Sequence, residues 1–388
     1  MRIKTDNILL RDAFFCSILT FIIASILYFA FVNLSILDPF EKAFKDFKFT
    51  DIYYSERMNN EERNNKIVLV NIKHANRFQI AQAIDKINTQ RPSVIGLDII
   101  FEDRKSEFID SLLKSSLVSA KSLVTAYFHE NDSVVNNHEY FQFYGETKGY
   151  INLDLEGQNS VIRNFLGVKG HNNDEYAFAT QLALKAGYLN ETYVKKELKN
   201  QLPINYIGNK DIFLCFDIEE VINKEKIRAF KDAIVILGYL GDGNESFDIE
   251  DKHFTPLNSK WVGRAVPDTF GVIVHANILN MLSKGNMIYR VSKFSTYLLS
   301  FIVCFLTILL SIKLYIKSSF VFDVSEKLIQ LILSIVLVYL GLALLQANIY
   351  LSVVPVILLS IIGIEMIDYY EYLVKYLNKK FKWESRLL

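Results

Sequence analysis

Apolar residues along this chain are concentrated in three long blocks that contain no charged side chain. These blocks cover residues 13–37, 294–312 and 328–364. An α-helix rises about 1.5 Å per residue, so about 20 apolar residues cross the roughly 30 Å hydrocarbon core of a bilayer. Each of the first two blocks is long enough for one such helix, and the pattern therefore predicts a membrane protein.

The third block is too long for a single span, and its polar cluster, Gln346-Ala347-Asn348, divides it into two. The first block is longer than the apolar core of a cleaved signal peptide, which has about 7–15 residues, so we expect it to remain as an anchor. We predict four transmembrane helices, at residues 13–34, 294–316, 328–346 and 350–372.

Lysine and arginine in the segments that flank these helices indicate the orientation of the chain. Residues 1–12, 317–327 and 373–388 all carry such basic residues. Short cytoplasmic segments are enriched in them, and four spans place all three segments on the same side of the membrane. We therefore expect both termini in the cytoplasm and residues 35–293 on the other side of the membrane.

Strand and helix patterns alternate within residues 35–293. Residues 66–72 and 94–101 are apolar and rich in β-branched side chains, as in strands covered on both faces, and residues 77–89 have helical periodicity. This order predicts an α/β fold with a parallel sheet. Further strands are predicted at 122–128, 149–154, 161–165, 202–206 and 233–238, with 149–154 and 161–165 paired as a hairpin and 233–238 central, and further helices at 106–119, 175–187 and 270–282.

Composition excludes several classes of function. Acidic and basic residues number 43 each, and residues 35–293 show no basic stripe, so we predict no nucleic-acid partner. Cys215 is the single cysteine of this region, which excludes an intramolecular disulfide there. Serine-hydrolase, phosphate-loop, Cys-x-x-Cys and zinc-protease motifs are missing from the sequence. We therefore predict that the chain is not an enzyme and needs no cofactor or metal.

The loop after the predicted central strand is the best candidate for a binding site. It contains Asp242, Asn244 and Asp248, at the sheet edge where open α/β sheets bind ligands. A phosphate cradle requires a helix directly after the loop, and the spacing of these oxygen-bearing residues differs from that of a calcium loop. We predict that the three residues bind a ligand or a partner. A passive, solvent-exposed loop is the alternative.

The order of these segments resembles the CHASE2 domain, an extracytoplasmic sensory module of bacterial receptors. The resemblance covers nearly all of residues 35–293. His74-Ala75-Asn76-Arg77 keeps the arginine of a family segment that usually also contains Trp and Pro, so the resemblance adds Arg77 to the candidate ligand- or partner-binding residues. The matching segments are 37–39, 66–72, 94–101, 149–154 with Arg163, 177–179, 204–208, 234–238, 255–256, 271–272 and 275–277.

CHASE2 receptors usually continue into a kinase, cyclase or similar output domain, whereas only residues 373–388 follow the fourth predicted helix. The resemblance implies a sensor or receptor subunit of the bacterial cytoplasmic (inner) membrane that has no output chemistry of its own. We expect a membrane or periplasmic protein partner, a cytoplasmic effector in trans, and a homo- or hetero-oligomer. The alternatives are a structural or assembly subunit that uses the outer domain as a docking platform and, third, an extracytoplasmic hydrolase.

One acidic face near the inner end of the fourth span is a candidate for coupling across the membrane. Glu365, Asp368 and Tyr372 are spaced by three and four residues and so share a helical face. Acidic residues at this depth pair with bases or turn toward protein, and Lys313 and Lys317 are candidate partners. We predict that Glu365, Asp368, Tyr372 and Lys313 couple the membrane helices. Simple extension of the acidic side chains toward the interface is the alternative.

Overall fold

The structure is a computed structural model that describes residues 2–33, 48, 50–56, 63–131, 133–153, 160–170, 174–242, 251–258 and 267–388. The chain forms two compact units. Asp46–Ile288 form one of them, which we call the α/β unit. Met1–Lys45 and Tyr289–Leu388 form the other, which we call the helical unit.

The elements are numbered in chain order. The helices are α1 (Arg2–Asn33), α2 (Asp51–Ser55), α3 (Arg77–Thr89), α4 (Glu107–Ser119), α5 (Phe178–Lys185), α6 (Glu191–Glu197), α7 (Ile218–Asn223), α8 (Gly271–Lys284), α9 (Lys293–Lys317), α10 (Ser319–Gln346) and α11 (Val353–Phe381). The strands are β1 (Asn64–Asn71), β2 (Val94–Leu97), β3 (Leu123–Glu130), β4 (Ser133–Val135), β5 (Thr147–Tyr150), β6 (Asn164–Phe165), β7 (Val168–Lys169), β8 (Glu175–Tyr176), β9 (Leu202–Pro203), β10 (Phe213–Asp217), β11 (Ile234–Gly238), β12 (Lys252–His253), β13 (Thr269–Phe270), β14 (Tyr289–Arg290) and β15 (Ile349–Tyr350).

A parallel sheet forms the centre of the α/β unit. Its strands run in the order β10, β1, β11, β2, β3, β5, and β4 adds to β3 in the antiparallel direction. In register, Leu69 of β1 lies between Cys215 of β10 and Ile236 of β11. All five residues of β11 are buried, because parallel strands flank it on both sides and helices cover both faces of the sheet. The predicted α/β fold with a parallel sheet is therefore confirmed.

Helices cover both faces of this sheet, and the alternation of side chains assigns each helix to a face. Ile95 and Leu97 of β2 pack in one core together with side chains of α3, α4 and α7. Gly96, which points the opposite way, faces Phe178 and Leu182 of α5. A Cβ on Gly96 would lie 2.9 Å from the Phe178 ring, so the missing side chain lets α5 pack closely.

Local sequence explains why α3 begins and ends where predicted. The Asn76 side chain accepts the Gln79 N–H, and the Gln79 side chain accepts the Asn76 N–H, which satisfies the first free donors of the helix. Ile80 and Ile84 are buried on its inner face. Arg91 has a positive φ of 58° directly before a proline, and this conformation prevents the helix from continuing.

One predicted pairing in this unit is wrong. Residues 149–154 and 161–165 do not form a hairpin, because β5 pairs with β3 in parallel and β6 pairs with β9. Residues 154–159, where the turn was expected, lie outside the described residues. The contacts that place β5 come from a strand more than twenty residues earlier in the chain, which local turn signals do not reveal.

The helical unit contains α1, α9, α10 and α11, which are long and apolar enough to cross a membrane. α11 approaches α9 closely at Gly363, where a Cβ would lie 2.6 Å from the Cys304 Sγ of α9. The short strands β14 and β15 pair in parallel and tie the start of α9 to the turn before α11.

These helices extend beyond the predicted spans. α10 begins at Ser319, where the Ser318 hydroxyl accepts the Val321 N–H, so most of the predicted loop at 317–327 is helical. α11 continues to Phe381, so helix replaces the first half of the predicted tail at 373–388.

Candidate functional site

The carboxyl ends of β1, β11 and β2 meet at one edge of the sheet. Asn71, the last residue of β1, is buried there, and its side chain accepts the Leu240 N–H at 2.9 Å and donates to the Gly241 carbonyl at 2.7 Å. These two hydrogen bonds fix the start of the loop after β11. Loops of this kind at a carboxyl edge are the usual ligand sites of open α/β sheets.

The structure describes only one of the three predicted binding residues of this loop. Asp242 follows the two residues that Asn71 holds, and its side chain is exposed at the same edge. Asn244 and Asp248 lie outside the described residues. The proposed role of the three residues therefore stays a prediction.

A second acidic residue at this edge, Asp98, was not predicted as a site residue. It directly follows β2, and its Cβ lies 3.3 Å from the position that a Cβ on Gly238 would occupy. Burial and repulsion by Asp251 raise the pKa of Asp98 to about 8. Within the described part of the chain, no hydrogen-bond donor reaches the Asp98 carboxyl group. The raised pKa favours the protonated form of this carboxyl group.

Asp251 lies at the amino end of α8. Both of its carboxylate oxygens are 3.2 Å from the position of a Cβ on Gly271, and its backbone carbonyl accepts the Gly271 N–H at 3.0 Å. The positive end of the helix dipole favours negative charge at this point. His253 Nε2 approaches Asp251 Oδ1 to 3.7 Å. We call Asp98, Asp251 and His253 the carboxyl-edge cluster.

His275 stands behind this cluster, on α8. Burial, and to a smaller extent the nearby His253, lower the pKa of His275 to about 3, so its imidazole is neutral. Its ring packs edge-on against Phe178 at 5.4 Å. His275 is therefore a core residue.

Aromatic rings and a cavity adjoin the carboxyl-edge cluster. The Tyr239 ring lies 5.8 Å from the ring of His74 and 5.8 Å from that of Phe270. Lys252 places its ammonium group 4.8 Å from the Phe270 ring centroid. Phe270 and Lys252 also line a cavity of about 370 Å³, large enough for a small organic molecule. Four more polar residues complete this lining: Asn209, Lys210, Asp211 and Asp268.

Arg77 is held in a separate ion-pair network. Its guanidinium donates to Asp110 Oδ1 at 2.8 Å and to Asp103 Oδ1 at 2.7 Å, and it stacks near Phe101 and Phe141. Although burial opposes its charge, hydrogen bonds from Arg77 and from two backbone N–H groups lower the pKa of Asp110. The structure thus gives Arg77 a structural role, and its proposed ligand contact stays a prediction.

Metal binding finds no support in the described residues, where no group of three or more His, Cys, Asp and Glu side chains could hold an ion. The carboxyl-edge cluster contains only two carboxyl groups and one imidazole. Its chemistry suits proton exchange and hydrogen bonding to a ligand or a partner.

The acidic residues predicted for membrane coupling have different partners from those expected. Glu365 accepts hydrogen bonds from Lys327 at 2.5 Å and Gln330 at 2.9 Å, both on α10, and not from Lys313 or Lys317. Asp368, Tyr372 and Lys313 are exposed on the helical unit. Sequence analysis did not anticipate Glu371, which accepts the Tyr315 hydroxyl at 3.0 Å and so links α11 to α9.

Comparison with known proteins gives a single family. The family model of the CHASE2 domain matches residues 20–312, about three quarters of the chain. No curated protein and no solved structure matches the chain.

Proposed function

Because the chain belongs to the CHASE2 domain family, a family of sensory domains, we propose that it is a sensor subunit of the bacterial cytoplasmic membrane. The α/β unit lies outside the cytoplasm, and both termini lie inside it. The family match and the four helices of membrane-spanning length support this arrangement.

The observation that carries the proposal is the carboxyl-edge cluster at the start of α8. A ligand or partner that contacts Asp98 or Asp251 changes the charge at the amino end of this helix. Residues 285–292 then connect α8 to α9, a helix of the helical unit. A signal received at the edge of the sheet thus has a short covalent route toward the membrane.

The output of this sensor is passed to separate proteins. The chain has no catalytic activity of its own in this proposal, and it needs no cofactor. Its partners are a membrane or periplasmic protein and a cytoplasmic effector in trans, in a homo- or hetero-oligomeric assembly. The absence of familiar catalytic motifs from the sequence supports this division of labour.

Replacement of both carboxylates of the cluster tests the proposal. The full-length chain and its Asp98→Asn plus Asp251→Asn variant are purified from native membranes, and the amounts of co-purified proteins are measured by quantitative mass spectrometry. A sensor changes its association with cytoplasmic partners when the site is altered. Glu197→Gln, an exposed and remote acid-to-amide change in the same unit, is the matched control.

Identical partner amounts in all three preparations would count against a sensor. They would favour the alternative in which the chain is a structural or assembly subunit, because a scaffold binds its neighbours whatever the charge of the cluster.

A further inference from the structure

The carboxyl end of α11 extends beyond the length that a bilayer core requires. α11 has 29 residues, so at about 1.5 Å per residue it is about 44 Å long, whereas the hydrocarbon core is about 30 Å thick. Residues 353–364, at the start of the helix, carry no charge. The acidic residues begin at Glu365 and the lysines at Lys375. In a bilayer the excess length of about 14 Å therefore lies at the carboxyl end, at the level of the lipid headgroups.

Aromatic and basic residues share the outer face of this end. Tyr369, Tyr372 and Tyr376 are spaced by three and four residues, and each is more than half exposed. Lys379 and Lys380 continue the same face at the next steps of three and four residues, and both are exposed. We call these five residues the basic–aromatic face. Buried residues of this end lie on the opposite side of the helix: Ile367, Tyr370 and Val374.

The ammonium groups of this end lie close to aromatic rings. Lys380 Nζ is 5.9 Å from the Tyr376 ring centroid and 5.3 Å from that of Phe381. Lys375 Nζ is 5.8 Å from the Tyr372 ring centroid. Aromatic rings attract a cation within about 6 Å, so these rings keep the positive charges near the helix surface. Tyrosine with lysine beside it is the composition that favours a membrane interface.

The charge of this end is strongly positive. Residues 375–386 contain five basic residues and a single acid, Glu384. Within the described part of the chain, no carboxylate pairs with Lys379, Lys380 or Lys382, and all three are exposed. Their charge is therefore available to an anion from outside the chain.

The segment after α11 is fixed at the same end of the helix. The Ser385 hydroxyl donates to Asp12 Oδ2 of α1 at 2.7 Å, and the Arg386 N–H donates to the same oxygen at 2.9 Å. The Asn378 side chain donates to the Trp383 carbonyl at 2.8 Å. These hydrogen bonds hold Trp383 and Arg386 next to the carboxyl end of α11, so the basic and aromatic residues stay together.

We propose that the basic–aromatic face, with the adjacent Lys382, binds the headgroups of anionic phospholipids. The lysines contact the lipid phosphate, and the tyrosines lie at the boundary between headgroups and acyl chains. Depth and charge favour a lipid over an acidic protein, because the headgroup layer is what surrounds this end of a membrane-spanning α11. The proposal requires that the helical unit spans a bilayer. It requires neither the sensor function nor one orientation of the chain.

Energy transfer from tryptophan to labelled lipid tests the proposal. In a Trp261→Phe background, Trp383 is the only tryptophan of the full-length chain. This chain is reconstituted in phosphatidylcholine vesicles that contain a small fraction of pyrene-labelled lipid, either phosphatidylglycerol or phosphatidylcholine, with the label on the acyl chain. The ratio of the two transfer efficiencies measures the preference for the anionic lipid. We expect a ratio above one, which falls toward one at high salt because exposed charges are screened.

Three sets of substitutions locate the preference. Changing Lys379, Lys380 and Lys382 together to Gln is expected to lower the excess of the ratio over one at least about twofold, since three of the five bases lose their charge. Arg at the same three positions keeps the charge and should retain the preference. The matched control changes three exposed lysines of the α/β unit to Gln and should also retain it: Lys121, Lys226 and Lys231.

A ratio of one in the unmodified chain would overturn the lipid site. An unchanged ratio in the Gln variant, with an unchanged helical circular-dichroism spectrum, would also overturn it and would leave the lysines as a surface for an acidic protein. The vesicles contain no partner protein, and the sensor proposal is judged by the Asp98 and Asp251 variant. The two proposals can therefore fail independently.

Discussion

Asp98 of the α/β unit and Asp12 of the helical unit are both acidic residues, and their carboxyl groups have different hydrogen-bond surroundings. Asp12 receives three hydrogen bonds from its neighbours, whereas no described donor reaches the carboxyl group of Asp98. A carboxylate with its donors in place serves as a structural anchor. A carboxyl group without donors gains or loses its proton when its surroundings change. Under the proposed function, Asp98 is the residue that responds to a ligand or partner, whereas Asp12 attaches the segment after α11 to α1.

The two units also satisfy their neutral polar groups in different ways. In the α/β unit, Asn277 bonds to the Ile207 N–H and the Gly208 carbonyl, some seventy residues earlier in the chain. In the helical unit, Ser300 and Ser360 bond to carbonyls four residues earlier in their own helices. Tertiary structure in the α/β unit thus depends on specific long-range hydrogen bonds. Helix association in the other unit combines close packing, as at Gly363, with inter-helix hydrogen bonds such as that from Tyr315 to Glu371.

The largest expected effect comes from breaking the buried ion pair of the α/β unit. Arg77→Leu leaves the fully buried Asp110 carboxylate without its cation, and we expect a loss of about 3–5 kcal/mol in the free energy of unfolding. Asp103, on the other side of Arg77, is 62% exposed. Asp103→Asn is therefore the matched control, with an expected loss of about 0.5 kcal/mol or less.

Denaturant unfolding of the full-length chain in detergent measures both variants. If Arg77→Leu is as stable as Asp103→Asn, Arg77 does not stabilise the fold, and the ligand contact predicted from sequence becomes the better explanation for it.

Close packing of α5 against the sheet gives the next largest effect. A Cβ on Gly149 would lie 2.5 Å from the backbone Cα of Phe178, whereas a Cβ on Gly96 would meet only the ends of side chains. Backbone cannot move aside as a side chain can. We therefore expect Gly149→Ala to cost about 3 kcal/mol and Gly96→Ala about 1 kcal/mol, again by denaturant unfolding. A reversed order would show that α5 is placed differently.

The pH dependence of stability tests the state of Asp98. The folded pKa of about 8 exceeds the usual value of about 3.9, so the folded chain binds the extra proton between these values, and stability falls as pH rises. His275 has the opposite effect, but only below about pH 6.5, where the unfolded histidine becomes charged. We expect the unfolding free energy to rise by at most about 1.4 kcal/mol per pH unit from pH 8 to 6.5.

Asp98→Asn is expected to abolish this rise, while Asp242→Asn, an exposed change at the same edge, should retain it. Thermal or denaturant unfolding at several pH values measures the slope. The same slope in Asp98→Asn would mean that another group carries the proton.

The smallest expected effect on stability belongs to the loop after β11. Replacing Asp242, Asn244 and Asp248 together with Ala should change the unfolding free energy by less than about 0.5 kcal/mol per residue, since exposed loop substitutions rarely do more. We expect the association with partner proteins to be lost all the same. Unchanged partner association would leave the carboxyl-edge cluster as the site without this loop, and unfolding would mark the loop as structural.

Sequence patterns were most informative where structure is local. The helical periodicity of α3 and the apolar run of β11 lie within the elements they define, so the positions of these two elements could be predicted. The pairing of β5 with β3 could not, because strand partners are chosen by contacts between distant segments.

The residues of the candidate site could likewise be predicted only where the sequence signal is local. The loop containing Asp242 was predicted from its place after a central strand, whereas Asp98 was not predicted as a site residue because it is a lone acid within the apolar run at 94–101. Its significance comes from Asp251, which is distant in sequence and lies beside it only in the folded chain. The hydrogen bond from Ser385 to Asp12 likewise joins residues 373 positions apart, and no pattern in the neighbouring sequence predicts it.

The central claim is that the α/β unit receives a signal outside the cytoplasm, and labelling of single cysteines in spheroplasts tests it most directly. Cys16, Cys215 and Cys304 are first replaced with Ser, and a cysteine is then introduced at the exposed positions Glu130 or Lys379. We predict that a membrane-impermeant maleimide labels the Glu130→Cys chain in intact spheroplasts and labels Lys379→Cys only after lysis. Labelling of Lys379→Cys from outside, or protection of Glu130→Cys until lysis, would contradict the account.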